Sequence, residues 1–257
     1  MANGAAFDDA VAAVKANGNL HVGVHLTLTE LAPVSRPREV PDLVDERGLM
    51  PSRPGALLGS LLRGRISIAT IRKELSRQIE KVKDFGLTPT HLDSHQHVHA
   101  LPQVLEAMVE TALRHSIRWI RSPFDATPGW STFPLVGENE KLMFLKQHAQ
   151  ARLVSVFRPY HRKLMRRYGL RTADHFHGVS LTGIWNEALV VRLVENLPPG
   201  LNELMIHPGD YDNELRQRRT RLLEQRETER DLFSSTAFKE LLAKHGVTAS
   251  SYGEIAA

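Results

Sequence analysis

Three short apolar runs in this chain carry histidine at or near their carboxyl ends, with stretches of helical periodicity between them. Leu20-His21-Val22-Gly23-Val24-His25-Leu26-Thr27-Leu28 alternates strictly, with Leu20, Val22, Val24, Leu26 and Leu28 on one face and His21, Gly23, His25 and Thr27 on the other. Leu87–Leu92 reads as a short strand entering a histidine cluster, and Glu203-Leu204-Met205-Ile206 ends in His207-Pro208-Gly209-Asp210. Ile68, Ile71, Leu75, Ile79, Val82 and Phe85 recur at helical spacing and stop at Gly86, a suitable residue just past a helix end. Leu101, Leu105, Met108, Val109, Ala112 and Leu113 give a second stripe, with Pro102 in its first turn. A strand at Ile117–Arg121, helices near Ala56–Leu62, Asn186–Asn196 and Ser234–His245, and a strand at Val247–Tyr252 complete the pattern. Strands alternating with helices predict an α/β fold, parallel and barrel-like with outer helices. No repeat or linker interrupts residues 1–257, so a single domain is expected. In such folds ligand and catalytic groups collect at the carboxyl ends of the strands.

The densest such point is Thr90-His91-Leu92-Asp93-Ser94-His95-Gln96-His97-Val98-His99, which holds four of the 13 histidines. If it is extended, Asp93, His95, His97 and His99 share a face; if it coils, Asp93 and His97, or His95 and His99, become neighbours. Either geometry brings imidazoles and a carboxylate together, as a divalent metal site requires. A solvated, histidine-rich turn is the plainer reading. A smaller pair follows in Asp174-His175-Phe176-His177-Gly178.

Composition narrows the chemistry. The chain has no cysteine, which excludes disulfides, thiolate zinc sites and a cysteine nucleophile, and leaves histidine and carboxylate as metal ligands. Such a nitrogen- and oxygen-rich set suits zinc, manganese, cobalt or iron. The formal net charge is +4, with basic runs at Arg158–Arg171 and Arg216–Arg230. The second is interleaved with Glu224, Glu227, Glu229 and Asp231, as solvated helix faces are, so nucleic acid is not expected as a partner. The amino terminus lacks the basic and apolar regions of a signal peptide, and no apolar run approaches a membrane span. A cytoplasmic protein is expected.

Residues 31–54 carry Pro33, Pro37, Pro41, Pro51 and Pro54, a density no regular element tolerates. A loop this long in a compact domain suggests a substrate-covering segment. Phe124–Tyr168 has a Pro/Gly-rich start and a helical stretch near Leu142–Phe157, and reads as an insertion or a cap.

Gly23-Val24-His25-Leu26, the Thr90–His99 stretch and Glu203-Leu204-Met205-Ile206-His207-Pro208-Gly209 together resemble the YdjC-like carbohydrate deacetylases, the family of chitooligosaccharide deacetylase and the hopanoid-associated proteins. Asp42-Leu43-Val44-Asp45-Glu46-Arg47-Gly48 and the Ser251-Tyr252 ending also fit, so the likeness covers nearly the whole chain. It implies a (β/α) barrel-like fold, a divalent metal, magnesium or zinc, and hydrolysis of an N-acetyl group on an amino sugar. By motif, His25 and His95 match the metal-ligating histidines, and His207 falls where a general acid is expected. Asp93 joins His207 as a catalytic candidate, with the alternative that it orients a ligand histidine. His97, His99 and Arg121 are assigned to substrate or to support of the ligands. Among Trp119, Trp130 and Trp185, core packing is the favoured role, and Trp130, after Pro128-Gly129, is the candidate for stacking on a sugar.

Members of the family also open with an apolar strand ending in Ala-Asp-Asp-Phe-Gly, whose aspartates are expected to supply a third ligand and a general base. Asp8-Asp9 is not that motif, because it follows no strand and Ala10, Val11 and Val14 continue it as a helix. The expectation is a chain without the first strand, with little deacetylase activity and with an open sheet edge that invites association of copies. A carbohydrate- or metal-binding relative without catalysis, and a metallohydrolase of ester or phosphate substrates, are the alternatives.

Overall fold

The structure is a computed structural model and describes residues 1–217 and 220–255. Arg218 and Arg219 of the second basic run therefore lie outside the described residues. In chain order the elements begin with α1 (Phe7–Ala16), β1 (Gly23–Leu26), α2 (Pro54–Leu62), α3 (Ile68–Asp84), β2 (His91–Ser94), α4 (Pro102–Arg114) and β3 (Trp119–Ile120). They continue with α5 (Gly129–Thr132), α6 (Lys141–Val154), α7 (Arg158–Tyr168), β4 (His175–His177), α8 (Glu187–Glu195), β5 (Asn202–Leu204), α9 (Asn213–Gln217), α10 (Gln225–Ser234) and α11 (Thr236–Lys244). The chain gathers into two compact units, one of Met1–Pro123, Phe157–Thr172 and the stretch from Ser250, the other of Phe124–Val156 and Ala173–Ala249.

In the first unit β1, β2 and β3 run parallel in that order, with His25 paired to Asp93 and Leu92 to Ile120. Arg171 extends the array beyond β3, receiving the Ile120 N–H and donating to the Arg118 carbonyl. Helix α3 forms where its stripe predicts. The Ser67 side chain accepts the Thr70 N–H at 3.1 Å at its start, and Gly86 takes the left-handed φ of 80° just past its end. Ile71, Leu75 and Ile79 point into the core with Leu92, Leu105 and Met108. Each such side chain contributes about 1.5–3 kcal/mol through burial. The parallel α/β organisation expected from the sequence is borne out.

Several expectations are corrected in detail. The first strand is shorter than its alternation: Val24, Leu26 and Leu28 are buried, but Leu20 is 55% exposed and precedes the paired backbone. Residues 247–250 form no strand; instead Tyr252 stacks on His91 and meets Trp119 edge-on. The proline-rich segment is not a loose cover, since Val40, Leu43 and Met50 sit in the core. Its start is fastened by the buried Glu74 of α3, whose carboxylate accepts the Val34 and Ser35 N–H groups at 2.8 and 2.9 Å.

In the second unit β4 and β5 pair in parallel, and Asp125 bridges to Phe176 on the other side of β4. Asn186 caps α8 by accepting the Leu189 N–H at 2.9 Å. Val136, Phe144, Leu181, Trp185 and Leu189 form a separate core. The stretch from Phe124 to Tyr168 divides between the units, α6 with the second and α7 with the first. Among the described residues no helix is long and apolar enough to cross a membrane.

Candidate active site

The carboxyl ends of β1 and β2 place His25 beside Asp93 by register alone. His25 Nδ1 donates to Asp93 Oδ2 at 2.8 Å, and Arg121, just past β3, donates from Nη1 to the same oxygen at 2.5 Å. Asp93 is buried, which by itself would raise its pKa. The neighbouring His25 ring and Arg121 guanidinium together outweigh that burial and hold the carboxyl well below its ordinary range. Donation from Nδ1 leaves Nε2 of a neutral His25 ring as a bare nitrogen, the tautomer a metal ligand needs.

After Ser94 the chain follows neither an extended nor an α-helical course. Gln96 and His97 take left-handed φ values of 54° and 53°, which bend residues 95–100 into a tight 3-10 turn. His95, His97 and His99 therefore separate. The His95 ring lies 5.7 Å from that of His25, edge to face. His99 turns inward and is fully buried between Ser94 Oγ at 2.5 Å and the Arg121 carbonyl at 3.0 Å. Burial first, and the nearby His97 second, push its pKa well below the ordinary value, so it is a neutral structural ring. His97 keeps a 6.3 Å ring contact with His99.

Sequence reasoning missed Glu30. Its carboxylate receives His95 Nε2 at 3.1 Å and Gln96 Nε2 at 2.9 Å, and its own φ is 68°. Three of the four left-handed non-glycine residues among those described, Glu30, Gln96 and His97, thus meet at this point. Each costs roughly 1–2 kcal/mol, so a strained knot sits where the candidate ligands converge. Glu30 raises the His95 pKa, but burial is the larger influence and leaves it lowered. His91 also serves the site indirectly. Its ring lies over Gly23, where a Cβ would come within 2.3 Å of Nε2, and stacks 4.0 Å from Tyr252. Gly23 is therefore there to admit a ring, and burial brings the His91 pKa down to about 4.

The remaining candidates belong to the second unit. His207 is 30% exposed by side chain, its backbone N–H donates to the buried Glu229 at 2.5 Å, and Nδ1 lies 3.8 Å from the same carboxylate. Trp130 is 96% exposed, whereas Trp119 and Trp185 are core residues. The structure thus brings together His25, Asp93, His95 and Arg121, adds Glu30, and moves His99 from ligand support to packing.

Among the described residues no three His, Asp or Glu side chains form a group able to hold a metal ion. Catalytic metal sites ordinarily use three protein ligands. The strand ends supply two adjacent imidazoles, one of them already oriented by a carboxylate, and the donor set is incomplete.

The family model described as YdjC-like protein matches residues 1–244. The chain belongs to the YdjC-like family. It is 41% identical over 117 residues to a carbohydrate deacetylase of Geobacillus stearothermophilus, a match covering 46% of this chain and 44% of the relative. It is 38% identical to a carbohydrate deacetylase of Clostridium beijerinckii over 84% of this chain and 70% of the relative. The human carbohydrate deacetylase is 28% identical over 81% of this chain and 64% of its own length. The chain thus covers between 44% and 70% of the length of these three relatives. The fold is shared with an Enterococcus faecalis V583 crystal structure described as a cellobiose-phosphate cleavage protein. There the TM-score is 0.72 at 20% identity, covering 99% of this chain and 85% of the other.

Proposed function

We propose that this YdjC-like chain belongs to a metal-assisted carbohydrate deacetylase that hydrolyses the N-acetyl group of amino sugars, with its reaction centre at the carboxyl ends of β1 and β2. The carrying observation is the Arg121–Asp93–His25 chain beside His95, in a family whose curated relatives are carbohydrate deacetylases. A divalent ion, magnesium or zinc, would polarise the amide carbonyl and lower the pKa of a bound water, with His25 and His95 as the protein ligands present. Asp93 fixes the tautomer and aim of His25, while Arg121 keeps Asp93 ionised. Glu30 holds the His95 ring. His207 belongs to the second unit, where its backbone N–H is held by Glu229, and the general-acid role is the one that the family resemblance implies for it. Two donors bind an ion weakly, so acetate release by this chain is expected to be low.

The test measures acetate released from N,N′-diacetylchitobiose with zinc or magnesium added, beside metal content after purification without chelator. Metal-dependent release that disappears in His95→Ala supports the reading. Metal binding and release that are unchanged in His95→Ala and His25→Ala would sink it.

A further inference from the structure

The loop that follows β5 is laid along α10 by three contacts, all within the second unit. The His207 N–H donates to Glu229 Oε2 at 2.5 Å, the Gly209 N–H to the Arg226 carbonyl at 3.3 Å and the Tyr211 N–H to Glu227 Oε1 at 3.2 Å. Glu229 differs from the other two anchors. It is 1% exposed, and its second oxygen accepts the Gly183 N–H at 3.3 Å. No lysine or arginine among the described residues pairs with it. Its ionisable neighbour within ion-pair reach is the His207 ring, whose Nδ1 lies 3.8 Å from Oε2.

The two nitrogens of that ring have different surroundings. Nδ1 is buried and makes no hydrogen bond, so the Glu229 carboxylate is the acceptor it faces. Nε2 has no partner among the described residues and is not buried with Nδ1, in a side chain that is 30% exposed. A buried carboxylate is costly unless it is paired, and a buried N–H is costly without an acceptor. A ring proton on Nδ1 answers both needs, because a carboxylate oxygen that already accepts one backbone N–H keeps a second lone pair. A proton on Nε2 instead turns the bare lone pair of Nδ1 toward the carboxylate, which repels it. The 3.8 Å separation exceeds a hydrogen bond, as such contacts often do before substrate engages them, and a small rotation of the ring closes it.

We infer that Glu229 is a positioning residue for His207: it holds the neutral ring as the Nδ1–H tautomer and steadies the imidazolium, so that Nε2 is the nitrogen that exchanges a proton. The chemical meaning of this rests on the general-acid reading of His207. In that role the Nε2 proton passes to the amine nitrogen as the C–N bond breaks, and the electron pair of that bond stays on the amine. The ring is left neutral, with its remaining proton on Nδ1 facing Glu229, and the carboxylate itself gains no proton.

Long-range ¹H–¹⁵N spectra of the full chain, labelled at histidine and recorded where the ring is neutral, read the tautomer directly; His207→Gln identifies the resonance. The Nδ1–H form is expected in the unaltered chain. Glu229→Met, which keeps the length of the side chain but removes the charged acceptor, should lower the ratio of Nδ1–H to Nε2–H about ten-fold or more. Glu227→Gln, which alters the anchor at Tyr211 without touching the ring, should leave the ratio unchanged. An Nε2–H ring in the unaltered chain, an unchanged ratio in Glu229→Met, or an equal change in Glu227→Gln would overturn the inference. Should Glu229→Met fail to fold, the tautomer of the unaltered chain decides the matter. Acetate release separates this inference from the reading it rests on. A chain that shows the expected tautomers but releases no acetate from N,N′-diacetylchitobiose with added metal refutes the deacetylase reading and leaves the Glu229–His207 coupling standing.

Discussion

Replacing Asp93 by asparagine tests the centre of the proposed site with little change of shape. Asp93 Oδ2 accepts both His25 Nδ1–H at 2.8 Å and Arg121 Nη1–H at 2.5 Å. If the asparagine oxygen takes that place, both donors keep an acceptor but lose its charge. Hydrogen bonds to a charged group contribute about 1.5–3 kcal/mol and neutral ones about 0.5–1.5, so each bond weakens by about 1 kcal/mol. The pair then forfeits about 2 kcal/mol, roughly thirty-fold in an equilibrium. If the amide turns the other way, its NH₂ faces His25, whose proton must move to Nε2, and the bare nitrogen is lost. Either course weakens zinc binding, measured by competition with a chromophoric chelator, by a factor within the range of about 10–100 typical of a lost carboxylate partner. The long-range ¹H–¹⁵N spectrum of His25 distinguishes the two courses. Arg121→Gln should act in the same direction, and the double variant should show less than the sum, since both residues share one oxygen. Zinc affinity within about two-fold of the unaltered chain, with the His25 tautomer unchanged, would refute the proposed coupling between Asp93 and metal binding.

Other expectations follow from individual contacts. Glu74→Ala strips acceptors from the Val34 and Ser35 N–H groups and from Gln78 Nε2; urea unfolding should show a loss of about 3–5 kcal/mol, and faster amide exchange at residues 34 and 35 should accompany it. His161 is buried and its pKa is brought down to about 4, by burial first and the Arg162 charge second. Because the folded value lies below the unfolded one, stability is full above about pH 6.5 and falls by roughly 3 kcal/mol as the pH drops to 4, a slope that His161→Phe should flatten in urea midpoints. Trp130→Ala, at a 96% exposed side chain, should leave the thermal midpoint unchanged while raising KM for an oligomeric sugar; an unchanged KM removes its stacking role.

The sequence reveals helices better than it reveals the site. Helix α3 is legible because its stripe and its Gly86 stop agree, the Ser67 cap being seen only in the structure, and α4 because Pro102 opens a second stripe. His25, Asp93 and His95 are recognisable as residues, yet their contacts depend on strand register, to which the local pattern gives no access. Glu30 stays hidden because its partner His95 lies 65 positions away. The turn that separates His95 from His97 and His99 places left-handed backbone at Gln96 and His97, where no glycine announces it. Extrapolating the strand through His99 therefore assigns a buried packing residue to the ligand face. Tyr252 misleads in the other direction: its aromatic character suggests a strand, but its role is to cover His91.

The proline-rich segment has a further consequence for alteration of the protein. Its two ends cross beside Glu30, where the Glu30 N–H reaches the Pro51 carbonyl at 2.9 Å and the Met50 N–H reaches the Leu31 carbonyl at 3.1 Å. Its middle, through Val40 and Leu43, belongs to the core. Loop grafting or length changes here would disturb two things together, the interior packing and the carboxylate that steadies His95. Despite having the composition of an interchangeable surface loop, the segment is a poor place to graft new specificity, whereas Trp130 of the second unit, 96% exposed, is a position where a side chain can change without disturbing a core.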